Sequence, residues 1–301
     1  MEQSWIGSLS LKALERLKAE LSPEESAALL YDWERWARPN QLAPASDWDG
    51  WLQLGGRGGG KTRSGAEWVR SLVESGKYGR IALIGETSAD GKDVMATGES
   101  GILAICPPWD RPKFVAGNSS GRPKLTWPNG AIATLYDARE PDQLRGPQHD
   151  AAWADEIAKY RYAQDVFDQM LLGLRLGPHP RWLATTTPRP IKLIRNLMKD
   201  PRVVVSRYSS HENLRNLAIQ YRRNVIDRYF GTRLGRQEID AEILEDVPGA
   251  LWTRRNLDEN RCRVEDVPGL TRLVVAIDPA VTSGDSSNET GIIAAGVDEK
   301  Q

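Results

Sequence analysis

Eight residues, Gly55-Gly56-Arg57-Gly58-Gly59-Gly60-Lys61-Thr62, restrict the folds open to this chain more than any other stretch. The five glycines let the backbone turn its N–H groups inward, where a Cβ would otherwise stand. Before them, Trp51-Leu52-Gln53-Leu54 is a short apolar run with strand character. After them, Ala66, Val69, Leu72 and Val73 recur at helical spacing between Ser64 and Ser75. Strand, glycine loop and helix in that order make a concave site for phosphate oxygens, backed by the positive end of the helix dipole. Lys61 is placed to reach the β- and γ-phosphates and the Thr62 hydroxyl to ligate Mg²⁺, with Gly55, Arg57, Gly58, Gly59 and Gly60 as the cradle. The expected ligand is ATP or GTP.

Composition bounds the rest. The chain has 301 residues, 27% of them charged, and a net charge of −1, so any nucleic-acid surface must be local. The length suggests about two domains. Cys106 and Cys262 match no metal or redox spacing, which fits a reducing compartment without disulfides. No apolar run approaches the ~18 residues of a membrane span, and the N-terminus lacks a signal-peptide pattern. The expectation is a soluble intracellular protein with no membrane contact. Eleven tryptophans point to core and interface packing, with base stacking open to one or two of them.

Residues 8 to 37 are predicted as two amphipathic helices. Ser22-Pro23-Glu24-Glu25 puts a cap, a first-turn proline and a capping-box glutamate in register, and Leu29, Leu30, Trp33 and Trp36 follow on one face. Pro39 and Pro44 are expected to hold a rigid extended segment running to the glycine loop. Within it, Gln41 can read an adenine edge, accepting from the N6 amine and donating to N7, or be a solvated loop glutamine.

Gly76 is a C-cap, and Arg80 to Gly85 is a buried-type strand. Residues 90 to 105 read as helical despite three glycines. Leu125 to Tyr136 is a hairpin turning at Asn129-Gly130. Strand, helix and strand recur, which argues α/β with a largely parallel sheet. Asp150-Ala151-Ala152-Trp153-Ala154-Asp155-Glu156 is then a short apolar strand ending in adjacent carboxylates. Opposite a phosphate loop, Asp155 would hold the Mg²⁺ shell and Glu156 would orient and deprotonate the attacking water; at a plain helix start the same pair would be only a favourable N-terminal charge. Arg181 to Thr187 is a further strand, stopped by Pro188. A hydroxyl at its end can hydrogen-bond the γ-phosphate, and Thr186 is assigned that contact.

From 189 to 236 the chain turns basic, with twelve Lys or Arg against three acids, a net of +9. Such a block suits contact with a phosphate backbone; the alternative is a set of helices with solvated arginine faces. Thr271 to Ala280 is a strong β-run through Asp278, followed by a Gly/Ser/Asp-rich turn (Ser283 to Asn288) and a second apolar run from Gly291 to Val297. A strand-end aspartate followed by a hairpin is how a two-metal nuclease of the RNase H type begins.

In order, GGRGGGKT, LTWPNGA, DQLRG, AAWADE, ATTTP and VVAIDPA resemble the large terminase subunit of tailed bacteriophages and related gene-transfer particles, over nearly the whole chain. The resemblance implies a P-loop NTPase of the ASCE/RecA-like class, with a mostly parallel sheet flanked by helices, then a small helical linker or lid and the first strands of an RNase H-like domain. The expected division is 1–45 as helical lead-in and adenine-side segment, 46–200 as ATPase core, 201–268 as linker or lid, and 269–301 as the start of an incomplete nuclease. It also implies an ATP- and Mg²⁺-dependent motor that forms a homo-oligomeric ring on the portal protein, works with a small terminase subunit and drives double-stranded DNA into a procapsid in the cytoplasm of a bacterial host. Arg145, in Leu144-Arg145-Gly146, matches the arginine that the family places on the neighbouring subunit's nucleotide, a device worth ~10³–10⁵ in rate. Thr185 to Thr187 match its coupling motif.

One departure concerns the nuclease. Two-metal sites of this type need about three or four carboxylates, and only Asp278 has a clear strand-end position, Asp285 lying in a turn. A second divalent-metal site at Asp278 is therefore expected only with a full nuclease domain. Either the chain is an N-terminal piece of a longer protein or the nuclease is lost, and no DNA cleavage is expected. Two other readings stay open: a helicase-like ATPase, which would need a second ATPase-like lobe, and a nucleotide-gated assembly module that turns over poorly alone.

Overall fold

Every residue of Trp51 to Leu54 is buried, and so is nearly every residue of the runs Arg80 to Gly85, Ala151 to Asp155 and Arg181 to Thr186, because the sheet they build is covered on both faces. The computed structural model describes residues 9–118, 121–244, 254–263, 266–267, 269–279 and 290–298. Two compact units divide at Leu244 and Glu245. In the first, β1 (Gly50–Gly55), β2 (Arg80–Gly85), β3 (Lys113–Val115), β4 (Lys124–Thr126), β5 (Ile132–Asp137), β6 (Ala151–Asp155), β7 (Arg181–Thr186) and β8 (Val203–Tyr208) form an eight-stranded sheet in the order β3-β4-β5-β2-β6-β7-β1-β8. The run from β5 to β8 is parallel, and β3 and β4 extend it antiparallel at the β5 edge. The expected hairpin is present: Gly130, at φ +87°, turns β4 into β5, and Asn129 Nδ2 ties the turn to Val73 O at 3.2 Å.

Strand alternation splits the core into two layers. Trp51, Leu83 and Trp153 face the helix α4 (Lys61–Glu74), where Ala66, Val69 and Val73 meet them. Leu52, Leu54, Ile84 and Ala154 face the opposite layer, with Val166, Phe167 and Met170 of the helix Ala163–Gly173 and Leu193 and Ile194 of Lys192–Leu197. The site-bearing strands therefore sit in the middle of a three-layer sandwich. Strand β7 lies between the loop strand β1 and the acid strand β6, with Asp155 in register with Thr185.

Local differences from the expectations have local causes. The lead-in is three helices, α1 (Leu11–Glu20), α2 (Pro23–Leu30) and α3 (Trp33–Trp36), because Asp32 accepts from Arg35 N and restarts the helix. The capping box at Ser22 and Glu25 forms in both directions. The segment after α3 is not extended at Pro39–Gln41. It closes a 3₁₀ turn, with Arg38 N donating to Gln41 Oε1 at 3.2 Å. Residues 90 to 105 are broken into a helical turn, a π-helical turn at Gly91–Ala96 and the helix Ile102–Ile105, and Gly101 N donates back to Gly98 O between them. Val203–Tyr208, beyond the expected core boundary at 200, pairs with the whole of β1.

In the second unit, β9 (Arg272–Asp278) and β10 (Gly291–Val297) pair antiparallel, with Asp278 opposite Gly291. The Ser283 to Asn288 turn and Asp285 lie outside the described residues. Among the described residues, no helix is long and apolar enough to cross a membrane.

Candidate functional site

The glycine loop connects β1 directly to α4; Lys61 holds its first two carbonyls, and side chains from elsewhere in the chain hold the four that follow. Lys61 Nζ donates to Gly55 O at 3.0 Å and to Gly56 O at 3.3 Å. Ser210 Oγ donates to Arg57 O at 2.6 Å, Asn213 Nδ2 to Gly58 O at 2.6 Å, Arg38 Nη2 to Gly59 O at 2.5 Å and Gln41 Nε2 to Gly60 O at 3.3 Å. In a planar trans peptide the C=O and the following N–H point opposite ways. Outward carbonyls therefore send N–H groups inward, and among the described residues those of Gly58, Gly60, Lys61 and Thr62 donate to no protein acceptor. Gly58 at φ +69° and Gly60 at φ +90° occupy the left-handed region that this path requires. The result is a ring of donors at a helix N-terminus, the geometry that binds an anion.

The acids converge on the loop. Thr62 Oγ1 stands 3.5 Å from Asp155 Oδ2, while Asp155 Oδ1 accepts from Thr185 Oγ1 at 2.6 Å. Burial pushes the Asp155 carboxyl up to about 6, and the charge of Glu156 adds to the rise. Glu156 takes the left-handed backbone conformation, φ 56° and ψ 38°, uncommon for a residue with a Cβ and typical of functional corners. That bend turns its carboxylate toward the loop: Oε1 is 3.4 Å from Lys61 Nζ, Oε2 is 3.5 Å from Lys159 Nζ, and Thr187 N donates to Oε2 at 3.3 Å. Burial opposes its ionisation, but Lys61, Lys159 and the Thr187 N–H outweigh burial and hold the carboxyl below its ordinary value.

The hydroxyl assignment shifts by one residue. Thr186 Oγ1 donates to Thr187 O and accepts from Ala158 N, on the face of β7 away from the loop. Side chains alternate along a strand, so Thr185 and Thr187 take the other face, Thr185 on Asp155 and Thr187 Oγ1 at 3.1 Å from Lys61 Nζ. The structure therefore sets the hydroxyl of Thr187, not that of Thr186, beside Lys61.

Gln41 is 5% exposed and is engaged with the loop, donating to Gly60 O and accepting from Arg38 N. Each amide group keeps capacity for one further bond. Arg57 pairs with Glu238, its Nε 2.5 Å from Oε2, and lines the cleft beside the loop. A cleft of about 920 Å³ runs past Gln41, Lys61, Thr62, Glu156 and Thr187. Arg145 does not line it: it is exposed and paired with Asp142 at 3.1 Å. Asp278 belongs to the second unit, and among the described residues no group of three or more His, Cys, Asp or Glu is arranged to hold a metal.

Arg38, Lys159, Ser210 and Asn213 escaped the sequence reading. Lys159, one turn beyond Glu156, carried a signal in its spacing. Arg38 stands beside Gln41, but Asn213 contacts the loop across 155 positions, for which a single sequence has no marker.

A glycine loop between strand and helix, two acids at the tip of a strand one removed from it and a hydroxyl-bearing strand between them define an α/β fold of the P-loop class. A family profile described as terminase large subunit, T4likevirus-type, N-terminal, matches residues 52–259, and the chain belongs to that family. Solved structures share the fold at low identity. The large terminase ATPase domain of Thermus phage P74-26 gives a TM-score of 0.53 at 14% identity, covering 75% of this chain and 100% of that one. A large terminase from a thermophilic bacteriophage, in complex with ADP, gives 0.53 at 15% identity over 91% and 65%. Another crystal form from a thermophilic bacteriophage gives 0.50 at 14% over 71% and 52%, so the chain spans about half of that protein's length. No curated protein matches the sequence.

Proposed function

We propose that this chain is the ATP-hydrolysing part of a DNA-packaging motor, acting in the cytoplasm of a bacterial host. What supports this reading is the convergence of Lys61, Thr62, Asp155, Glu156 and Thr187 at the adjacent tips of β1, β7 and β6. The inward N–H groups of the loop bind the phosphates, and Lys61 moves from Glu156 to the transferred phosphoryl group. Asp155 is a buried carboxylate with no ion-pair partner among the described residues and a hydroxyl beside it, an all-oxygen set that suits a hard divalent cation. Thr62 and Asp155 would hold Mg²⁺, which when bound neutralises phosphate charge. Glu156 accepts the proton of the attacking water, Thr187 follows the phosphate, Gln41 offers its remaining amide capacity to adenine, and the 189 to 236 block meets double-stranded DNA. A homo-oligomeric ring on the portal protein, with a small terminase subunit, completes the machine. A second divalent-metal site at Asp278 belongs to the proposal only with further carboxylates.

One observation favours the second reading, a nucleotide-gated module with little turnover alone: Arg145 stands on the surface, and its ion pair among the described residues is with Asp142. An arginine finger would then come from a neighbour. The test is steady-state ATP hydrolysis with Mg²⁺ at several protein concentrations, with and without double-stranded DNA, for the wild type, Glu156→Ala and Arg145→Ala. Loss in Glu156→Ala, with rescue of Arg145→Ala by subunits that carry Arg145 but cannot hydrolyse, supports a shared-site motor. Full activity in both variants refutes the catalytic assignments.

A further inference from the structure

Two side chains with no part in the proposed chemistry hold the outside of the phosphate loop. Arg38, before the 3₁₀ turn, donates from Nη1 to Asn213 Oδ1 at 3.1 Å and from Nη2 to Gly59 O at 2.5 Å. Asn213, in the helical turn Ser210–Asn216 after β8, donates from Nδ2 to Gly58 O at 2.6 Å. The three bonds close a ring around two successive loop carbonyls. Asn216 Nδ2 donates to Asn213 Oδ1 at 2.8 Å and so fixes which end of the Asn213 amide faces the loop. The Arg38 side chain is only 21% exposed, its guanidinium lies 5.6 Å from the centre of the Tyr208 ring, and its buried Nε has no hydrogen-bond partner. A guanidinium with an unbonded buried N–H is unfavourable on its own account. Its place is explained by what the other two nitrogens hold and by Glu212, whose Oε2 lies 4.0 Å from Nε.

We propose that Arg38 and Asn213 form a positioning clamp through which the segment after β8 sets the nucleotide affinity of the phosphate loop. The inference rests on the nucleotide-binding reading above. Peptide planarity carries the mechanism. The tie on Gly59 O aims Gly60 N–H into the cleft, and the tie on Gly58 O orients Gly59 N–H, which donates to Gly56 O at 3.0 Å and closes the turn. Movement of Ser210–Asn216 away from the loop removes both ties at once, because Asn213 is the partner of Gly58 directly and the partner of Arg38 at Gly59. The clamp joins residues 175 positions apart, so a shift in the later segment is felt at the phosphates through the loop itself.

The experiment is calorimetric binding of ADP with Mg²⁺ to the full chain, with thermal unfolding followed in parallel, for wild type, Arg38→Lys, Asn213→Ala, Asn213→Asp and the Arg38→Lys/Asn213→Ala double variant. Each single variant is expected to weaken binding ~10-fold, and the double variant no further than the weaker single, since members of one network are not additive. Asn213→Asp keeps an acceptor for Arg38 but loses the donor to Gly58 O, so it should lose as much as Asn213→Ala. Half-buried Asn213 carries the test if Arg38→Lys unfolds. Additive losses, or wild-type affinity in Asn213→Asp, overturn the clamp while leaving nucleotide binding intact. Absence of ADP binding by the wild type overturns both readings together.

Discussion

Lys61 Nζ stands 3.4 Å from Glu156 Oε1, so the cation of the phosphate loop and the acid at the tip of β6 form one ion pair. Under the proposed function, nucleotide binding and orientation of the acid would be linked: were Lys61 to turn to phosphate, Glu156 would keep Lys159 and the Thr187 N–H as its partners. Glu156→Gln keeps the shape and removes both the base and the charge that restrains Lys61. Hydrolysis is expected to fall by ~10²–10⁴, while ATP binds as tightly as before or more tightly. Steady-state turnover and equilibrium binding on the same preparation check this. Turnover within tenfold of wild type would remove Glu156 from the reaction.

Gly65 gives a second test, because α4 is laid directly on β6 there. A Cβ at Gly65 would stand 2.2 Å from Cε2 of Trp153, whose ring is fully buried and whose Nε1 donates to Thr185 Oγ1 at 2.9 Å. In an exposed helix Ala is better than Gly by about 1 kcal/mol. Overpacking a core costs about 1–3 kcal/mol, and here neither a backbone nor a hydrogen-bonded indole can yield. Gly65→Ala is therefore expected to be destabilising in urea unfolding, and to slow turnover because the Trp153–Thr185–Asp155 chain is displaced with it. A more stable variant would show that α4 is not seated on Trp153 as described.

The strands most legible in the sequence are those buried on both faces. Ile81 to Gly85 and Ala151 to Ala154 lie in the sheet interior, so their residues are apolar without alternation, and Asp155 and Glu156 stand out at the tip of the second. The edge strand β8 is only half-buried along most of its length and falls inside a basic block, so charge hid its membership of the sheet. Three consecutive threonines announced a hydroxyl-bearing strand end, but not the phase of its alternation, which register with Asp155 decides. The loop's outer ties were invisible for another reason: Arg38 and Asn213 acquire their meaning only when the chain returns to the loop after β8.

His149 supplies the pH dependence. It is 5% exposed, and Tyr136 Oη lies 3.1 Å from its Nε2. Burial lowers its pKa to about 4, with the nearby Arg122 adding to the fall and a backbone hydrogen bond opposing it. An imidazole near 6.5 in the unfolded chain takes up a proton that the folded state refuses until about pH 4. The unfolded state therefore binds more protons in that window, and stability is lost as pH falls through it, by up to about 3 kcal/mol. Urea unfolding at several pH values between 7 and 4 should show a steeper acid loss for wild type than for His149→Gln. Parallel curves would place the acid sensitivity elsewhere.

Glu67 tests what joins the N-terminal helices to the core. It is 1% exposed, with Arg63 Nη2 at 2.7 Å and Arg70 Nη1 at 2.9 Å, and Arg70 also donates to Tyr31 O at 2.5 Å and Ile105 O at 3.3 Å. One buried carboxylate thus holds the arginine that pins the end of α2 and the helix Ile102–Ile105 against α4. Burial raises the Glu67 pKa and the two arginines only partly offset it, so the charge itself contributes less than the shape and bonds of the side chain. Removing Glu67 leaves the buried Arg70 with only the more exposed Glu74, 2.8 Å from its Nε, as counter-ion; complete loss of a partner costs about 3–5 kcal/mol in comparable sites. Because Glu74 remains, Glu67→Ala is expected to fall short of that loss, and Glu67→Gln, which keeps the side-chain volume and one acceptor oxygen but turns an amide NH₂ toward one of the arginines, to cost less than Glu67→Ala in urea unfolding. Equal losses would mean that the arginines need the charge and that burial has been overcome by their attraction.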